Sequence, residues 1–169
     1  MEYLIASFAT AGSRYVECIE RQAAMWGERY HGFIFDDAGS WGDNCKLKPR
    51  AIRKALDRCH RVLWVDSDCT IDPPELWPDR QFDVGYIDNI HPHHHNRISA
   101  GFILFEQTSG TERFLDRWQV NQMRYNTDHG ALVEAIKKRG RTRCENVSYW
   151  LSGRHCINTL APERGAYAG

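Results

Sequence analysis

Two acidic residues, Asp66 and Asp68, flank one serine and follow the apolar run Val62-Leu63-Trp64-Val65 directly. Carboxylates this close repel each other unless a proton or a cation relieves them. An oxygen donor set of this kind suits Mg²⁺ or Mn²⁺, above all where substrate phosphates complete the shell. The Asp-x-Asp string alone carries little, because about one is expected by chance in a chain of this composition. A solvated acidic turn that closes a strand is the bland alternative. Placement is what argues for chemistry: the pair stands at the carboxyl end of the most apolar run in a chain that otherwise keeps charge outside.

Two further clusters stand out. His91-Pro92-His93-His94-His95 carries four imidazoles in five residues. Pro92 excludes a helical i, i+4 histidine pair, so a preformed zinc cage is not expected. The run Lys137-Lys138-Arg139-Gly140-Arg141-Thr142-Arg143 carries five cations in seven residues. Such a run suits a helix C-terminus, where the dipole favours cations, and leaves a phosphate-rich acceptor as the alternative. Six cysteines form no C-x-x-C pair, which disfavours a zinc ribbon; they are read as reduced thiols rather than a disulfide framework.

The elements that must position these residues alternate in type. Tyr3–Phe8 reads as a first strand. Ser13 is expected to cap a helix to about Arg29, with Val16, Ile19, Ala23 and Trp26 on its inner face. Gly32–Phe35 is a second strand. Pro49 suits the first turn of a helix to about His60, with Ile52, Ala55, Leu56 and Cys59 inward. Val62–Val65 does not alternate, as expected of a strand buried on both faces. Further strands are expected near Phe82–Ile87, Ile98–Phe105 and Arg143–Val147, with helices over Thr111–Arg124 and Asp128–Arg139. Strands alternating with helices predict an α/β sandwich with a mostly parallel central sheet, whose ligands bind beyond the carboxyl ends of the strands.

Composition agrees with one globular domain over 1–169: 169 residues, 42% hydrophobic and 26% charged. Twenty-two basic and 22 acidic residues cancel, so there is no whole-protein pull towards nucleic acid or anionic membrane. Six tryptophans suit a dense core or a site that stacks on flat ligands. No apolar run approaches the roughly 20 residues that span a bilayer. The N-terminal MEYLIASFATAG has only Glu2 where a signal peptide wants a cation, so a cytoplasmic protein is expected.

Several short motifs together carry a resemblance. Lys48-Pro49-x-x-Ile52 precedes the apolar strand and Asp66-Ser67-Asp68. Ser99-Ala100-Gly101-Phe102 follows, then Trp118, then Asn126-Thr127-Asp128-His129-x-x-Leu132. In this order they resemble the GT-A fold glycosyltransferases, the nucleotide-diphospho-sugar transferase group, over about Tyr3 to Val147. The resemblance implies a Rossmann-like GT-A sandwich and transfer of a sugar, from a UDP-sugar first, to an acceptor hydroxyl. Asp66 and Asp68 would hold Mn²⁺ or Mg²⁺ on the diphosphate, with His155 as third ligand and Arg154 facing the phosphates.

Ala9, Thr10 and Tyr15 match the region that meets the nucleotide base and ribose, although Tyr15 also suits a core position. Lys48 would reach a phosphate or hydroxyl; the alternative is a solvated helix-start lysine. Ser67 belongs to the donor site, and Ser99 and Gly101 would let the backbone approach the donor sugar. Asp128 would act as general base in an inverting enzyme or orient the sugar in a retaining one; the alternative is a helix N-cap. This resembled family has Gln where His129 stands.

The resemblance places His93, His94 and His95 on the acceptor side and makes 150–169 a tail closing over the donor site. The acceptor is expected to be a glycan or, second, a hydroxymethylated base in DNA, gripped with help from the tail or a second subunit. So small a member is of the sort that viruses and phages encode, acting in the host cytoplasm. Two competing readings remain. The string Asp66-x-Asp68-x-Thr70 also resembles motif one of haloacid-dehalogenase-like phosphatases, with Asp66 as nucleophile. That family starts with this strand and needs a later acidic pair that this chain lacks. The other reading is a non-catalytic sugar-nucleotide-binding protein.

Overall fold

The computed structural model describes residues 2–88, 98–125, 127–151 and 156–158. Six strands form the main sheet: β1 (Leu4–Thr10), β2 (Tyr30–Phe35), β3 (Arg61–Val65), β5 (Val84–Asp88), β6 (Ile98–Glu106) and β7 (Cys144–Asn146). Their spatial order is β2-β1-β3-β6-β5-β7. The pairs β1–β2, β1–β3 and β5–β7 are parallel, whereas β6 is antiparallel to both β3 and β5. Thus five strands point one way and β6 points the other. A small second sheet pairs β4 (Cys69–Ile71) with β8 (Cys156–Asn158) in antiparallel register.

The alternation of side chains sorts the core into two faces. Val62 and Trp64 of β3 join Leu4, Ala6, Ile103 and Phe105 on one face. Helices α3 (Lys48–Leu56), α4 (Ser109–Asn121) and α5 (Asp128–Lys137) cover that face through Ile52, Leu56, Phe114, Trp118 and Leu132. Leu63 and Val65 join Tyr3, Ile5 and Leu104 on the other face. Helix α1 (Tyr15–Trp26), Trp77 and Phe82 cover it. Covering both faces explains why β3 carries no polar position after Arg61: Val62, Leu63, Trp64 and Val65 are all fully buried.

The α/β sandwich is the one expected, with three local differences. Helix α1 has no side-chain cap; the Ser13 hydroxyl donates to the Thr10 carbonyl at 2.7 Å instead. Gly27, at φ 56°, ends α1, and a 3-10 turn over Gly27–Arg29 follows. A short helix α2 (Trp41–Cys45) precedes α3, capped by the Ser40 hydroxyl, which accepts from the Asp43 amide at 3.1 Å. Elements as short as α2, β4 and β8 leave no period to read. No helix among the described residues is long and apolar enough to cross a membrane.

Candidate functional site

The site forms where β3 ends against β6. Asp66 N–H donates to the Gly101 carbonyl at 2.9 Å, and Cys69 N–H donates to the Asp66 carbonyl at 2.9 Å, closing a turn over Asp66–Cys69. Because β6 runs against β3, it is the start of β6, Ser99 to Gly101, that lies beside this turn. A Cβ at Gly101 would stand 3.3 Å from Cys69 Sγ, a tight contact, and 3.6 Å from Asp66 Oδ2, an ordinary one, so the start of β6 packs directly on the turn. Ser99 Oγ accepts from the Gly101 amide at 3.2 Å.

Two helix N-termini bring the other charged groups. Lys48, the first residue of α3, sends Nζ to Asp66 Oδ1 at 2.8 Å and to Asp128 Oδ2 at 2.5 Å. Its third bond goes to the Ala100 carbonyl at 3.2 Å. All three ammonium protons are therefore accounted for, and the side chain is only 4% exposed. The reading of Lys48 as a solvated helix-start lysine is thereby overturned: two carboxylates draw the ammonium inward. Asp128 is the first residue of α5, but it does not cap that helix. Thr127 does, its hydroxyl accepting from the Gly130 amide at 3.3 Å. The Asp128 carboxylate is thus left to Lys48. Trp118 fixes the backbone there, its indole N–H donating to the Asp128 carbonyl at 3.0 Å.

Two carboxylates, of Asp66 and Asp128, share the one ammonium of Lys48, and the Asp68 carboxylate lies close enough to act on Asp66. Burial works against the Lys48 charge, but Asp128 and Asp66 outweigh it and hold the ammonium well above the usual lysine range. Asp66 moves upward as well. Burial is the main cause, the neighbouring Asp128 and Asp68 add to it, and Lys48 only partly offsets them. A proton or an added cation at Asp66 would relieve its repulsion by the neighbouring carboxylates. The half-buried Cys45 thiol lies within the same field and is pushed up to about 12 by burial and then by the Asp128 carboxylate.

The neighbouring carboxylates of Asp66 and Asp68 are hard oxygen donors of the kind that fit Mg²⁺ or Mn²⁺, with water and phosphate oxygens filling the remaining positions. Among the described residues no group of three or more His, Cys, Asp or Glu side chains could hold a metal by itself. The expected third ligand, His155, lies outside the described residues, as do Arg154, His93, His94, His95, Asn126 and most of the 150–169 tail.

The remaining expected site residues are placed as follows. Ala9 and Thr10 are buried at the end of β1. Tyr15 opens α1, half-buried against the core, with the Arg14 guanidinium 5.6 Å from its ring centre. Ser67 is half-buried within the turn. The five cations of the basic run are exposed, and three make local contacts: Lys138 pairs with Glu134 at 2.6 Å, Arg139 donates to the Cys144 carbonyl and Arg143 to Gln81. Cys18, Cys45, Cys59, Cys69 and Cys144 are free thiols, as expected. A groove of about 780 Å³ lies elsewhere, between Met25 and Trp26 of α1 and the segment from Asp72 to Asp79.

Two residues that contribute to the site escape a reading of motifs. The Trp64 indole N–H donates to Asp66 Oδ1 at 2.9 Å, so the strand itself orients the first carboxylate. Gln22 of α1 donates to the carbonyls of Asp66 and Cys69. The expected inner face of α1 included Ala23. In the structure Ala23 is exposed and Gln22 is buried, a rotation of about one position. A glutamine beside the Ile19 and Trp26 stripe was the available signal.

No protein-family model matches the chain, and no curated protein matches it. Solved structures do match. One is a glycosyltransferase involved in the glycosylation of the major capsid of PBCV-1, at 12% identity and a TM-score of 0.60. The match covers 85% of this chain and 81% of that one. At that identity the likeness is one of fold.

Proposed function

We propose that this protein is a metal-dependent glycosyltransferase that moves a sugar from a nucleotide-diphosphate sugar, UDP-sugars first, to a hydroxyl on a glycan acceptor. The observation that carries the reading is the Asp66–Lys48–Asp128 cluster at the carboxyl end of β3, in a fold shared with a solved glycosyltransferase. Asp66 and Asp68 would hold Mn²⁺ or Mg²⁺. When bound, that cation supplies Lewis-acid neutralisation of the departing diphosphate.

The chain's own residues do the rest. Lys48 occupies Oδ2 of Asp128, which leaves Oδ1 to meet the substrate. In an inverting transfer Asp128 takes the proton from the acceptor hydroxyl as the oxygen attacks the anomeric carbon. In a retaining transfer the same carboxylate orients the donor sugar. Ser99 and Gly101 give the sugar a close approach to backbone, and Ala9, Thr10 and Tyr15 receive the nucleoside. Arg154 and His155 are the further donor-side residues to test.

The test is nucleotide release from a panel of sugar nucleotides with Mn²⁺ or Mg²⁺, in wild type and Asp68→Ala. Release from one donor, lost in the variant, is the expected result. No release, together with no metal-dependent stabilisation by any donor, would overturn the reading in favour of a phosphatase or a binding module.

A further inference from the structure

One side chain of α1 reaches the back of the Asp66–Cys69 turn. Gln22 is 1% exposed. Its Nε2 donates to the Asp66 carbonyl at 3.0 Å and to the Cys69 carbonyl at 2.6 Å. Those two carbonyls bracket Ser67 and Asp68. The other end of the amide is held too, since the Tyr30 hydroxyl donates to Gln22 Oε1 at 2.8 Å. Burial keeps the Tyr30 phenol protonated far above its ordinary range, so this donor persists at any pH the protein meets.

Close packing of α1 on β2 makes the reach possible. A Cβ on Gly32 would lie 2.2 Å from Ile19 Cγ2 and 3.0 Å from the Tyr30 oxygen, so only glycine lets the helix sit this near. The chemistry at the tip is equally restrictive. A carboxylate in place of the amide would turn an acceptor towards two carbonyl oxygens, and a thioether would donate to neither.

We infer that Gln22 is the positioning residue of the Asp66–Asp68 pair: braced by Tyr30, it fixes the turn carbonyls so that both carboxylates present together to a divalent cation. The metal part of this inference rests on the proposed function, whereas the brace on the turn does not. Groups that orient metal ligands from behind are worth about 10- to 100-fold in metal affinity.

The experiment compares wild type, Gln22→Met, Gln22→Glu and Tyr30→Phe, with Phe114→Leu on the opposite face of the sheet as a control for general destabilisation. Two quantities are read: hydrogen exchange of the Cys69 amide, and Mn²⁺ affinity in the presence of UDP by calorimetry. Gln22→Met and Gln22→Glu should speed Cys69 exchange and weaken Mn²⁺ binding at least tenfold, with Tyr30→Phe moving both in the same direction by less. Phe114→Leu should lower Tm and move neither. Unchanged Cys69 exchange and Mn²⁺ affinity in Gln22→Met, at a Tm loss matching the control, would overturn the inference. Altered exchange with unchanged Mn²⁺ affinity would also overturn it, leaving Gln22 a purely structural brace. Failure of wild type itself to bind Mn²⁺ with UDP would instead overturn the proposed function, and the positioning role with it.

Discussion

Lys48 stands at the first turn of α3, where the helix dipole disfavours a cation, and its placement is decided by Asp66 and Asp128 instead. Removing it strands two poorly solvated carboxylates. Lys48→Met should therefore cost about 3 kcal/mol in chemical denaturation at pH 7, the scale of a broken buried ion pair. Asp66 behaves unlike an ordinary salt-bridged aspartate. Its folded pKa lies above the ordinary 3.8, so the folded state binds more protons than the unfolded state between the two values. Stability from this group is full below that range and is lost as pH rises through the raised value. Asp66→Asn removes that cost and still leaves Lys48 paired with Asp128. Thermal melts without added metal should find Asp66→Asn at least as stable as wild type at pH 7, with any advantage gone near pH 4. Metal-dependent donor turnover should be lost in the same variant. A lower Tm at pH 7 would count against the upward shift of the Asp66 carboxyl.

At the scale of elements, two helix starts converge on one strand end. Thr127 caps α5, and through that cap it sets where Asp128 begins. Thr127→Ala should cost about 1 kcal/mol and reduce transfer more than Thr127→Ser, a split that denaturation and turnover assays together would reveal. On the other face, α1 is seated by Gly32. Gly32→Ala forces a clash with Ile19 and should cost about 1–3 kcal/mol as overpacking, read from the urea midpoint. The buried carboxylate of Asp83 ties further elements together: it accepts from the Thr108 hydroxyl and the Arg143 amide, both at 2.7 Å. It joins the start of α4 to the segment entering β7. An acidic residue there works for the fold and not for the chemistry.

For the whole molecule, the β3–β6 seam is the decisive junction. It joins β2-β1-β3 to β5-β7 and puts the Asp66 turn beside the start of β6. Occupancy of that junction should stabilise the entire domain by mass action. At UDP concentrations about a hundred times Kd with Mn²⁺ present, the gain is about 2.7 kcal/mol, a Tm rise of roughly 5–10 °C for a chain of this size. Asp68→Ala should abolish the rise without lowering the unliganded Tm by a similar amount, as differential scanning calorimetry would report. The sequence by itself determined the alternation of strands and helices, the doubly buried β3 and the carboxylate pair at its end. Burial on two faces and helical amphipathicity are written in side-chain polarity, one residue at a time. Only the tertiary structure decided that β6 runs antiparallel, because side-chain alternation is the same for either strand direction. It also decided that Gln22 rather than Ala23 turns inward, and that Lys48 pairs with Asp66 and Asp128 rather than facing solvent. Those outcomes depend on which carbonyls and charges distant segments bring to the same strand end, and no local period records that.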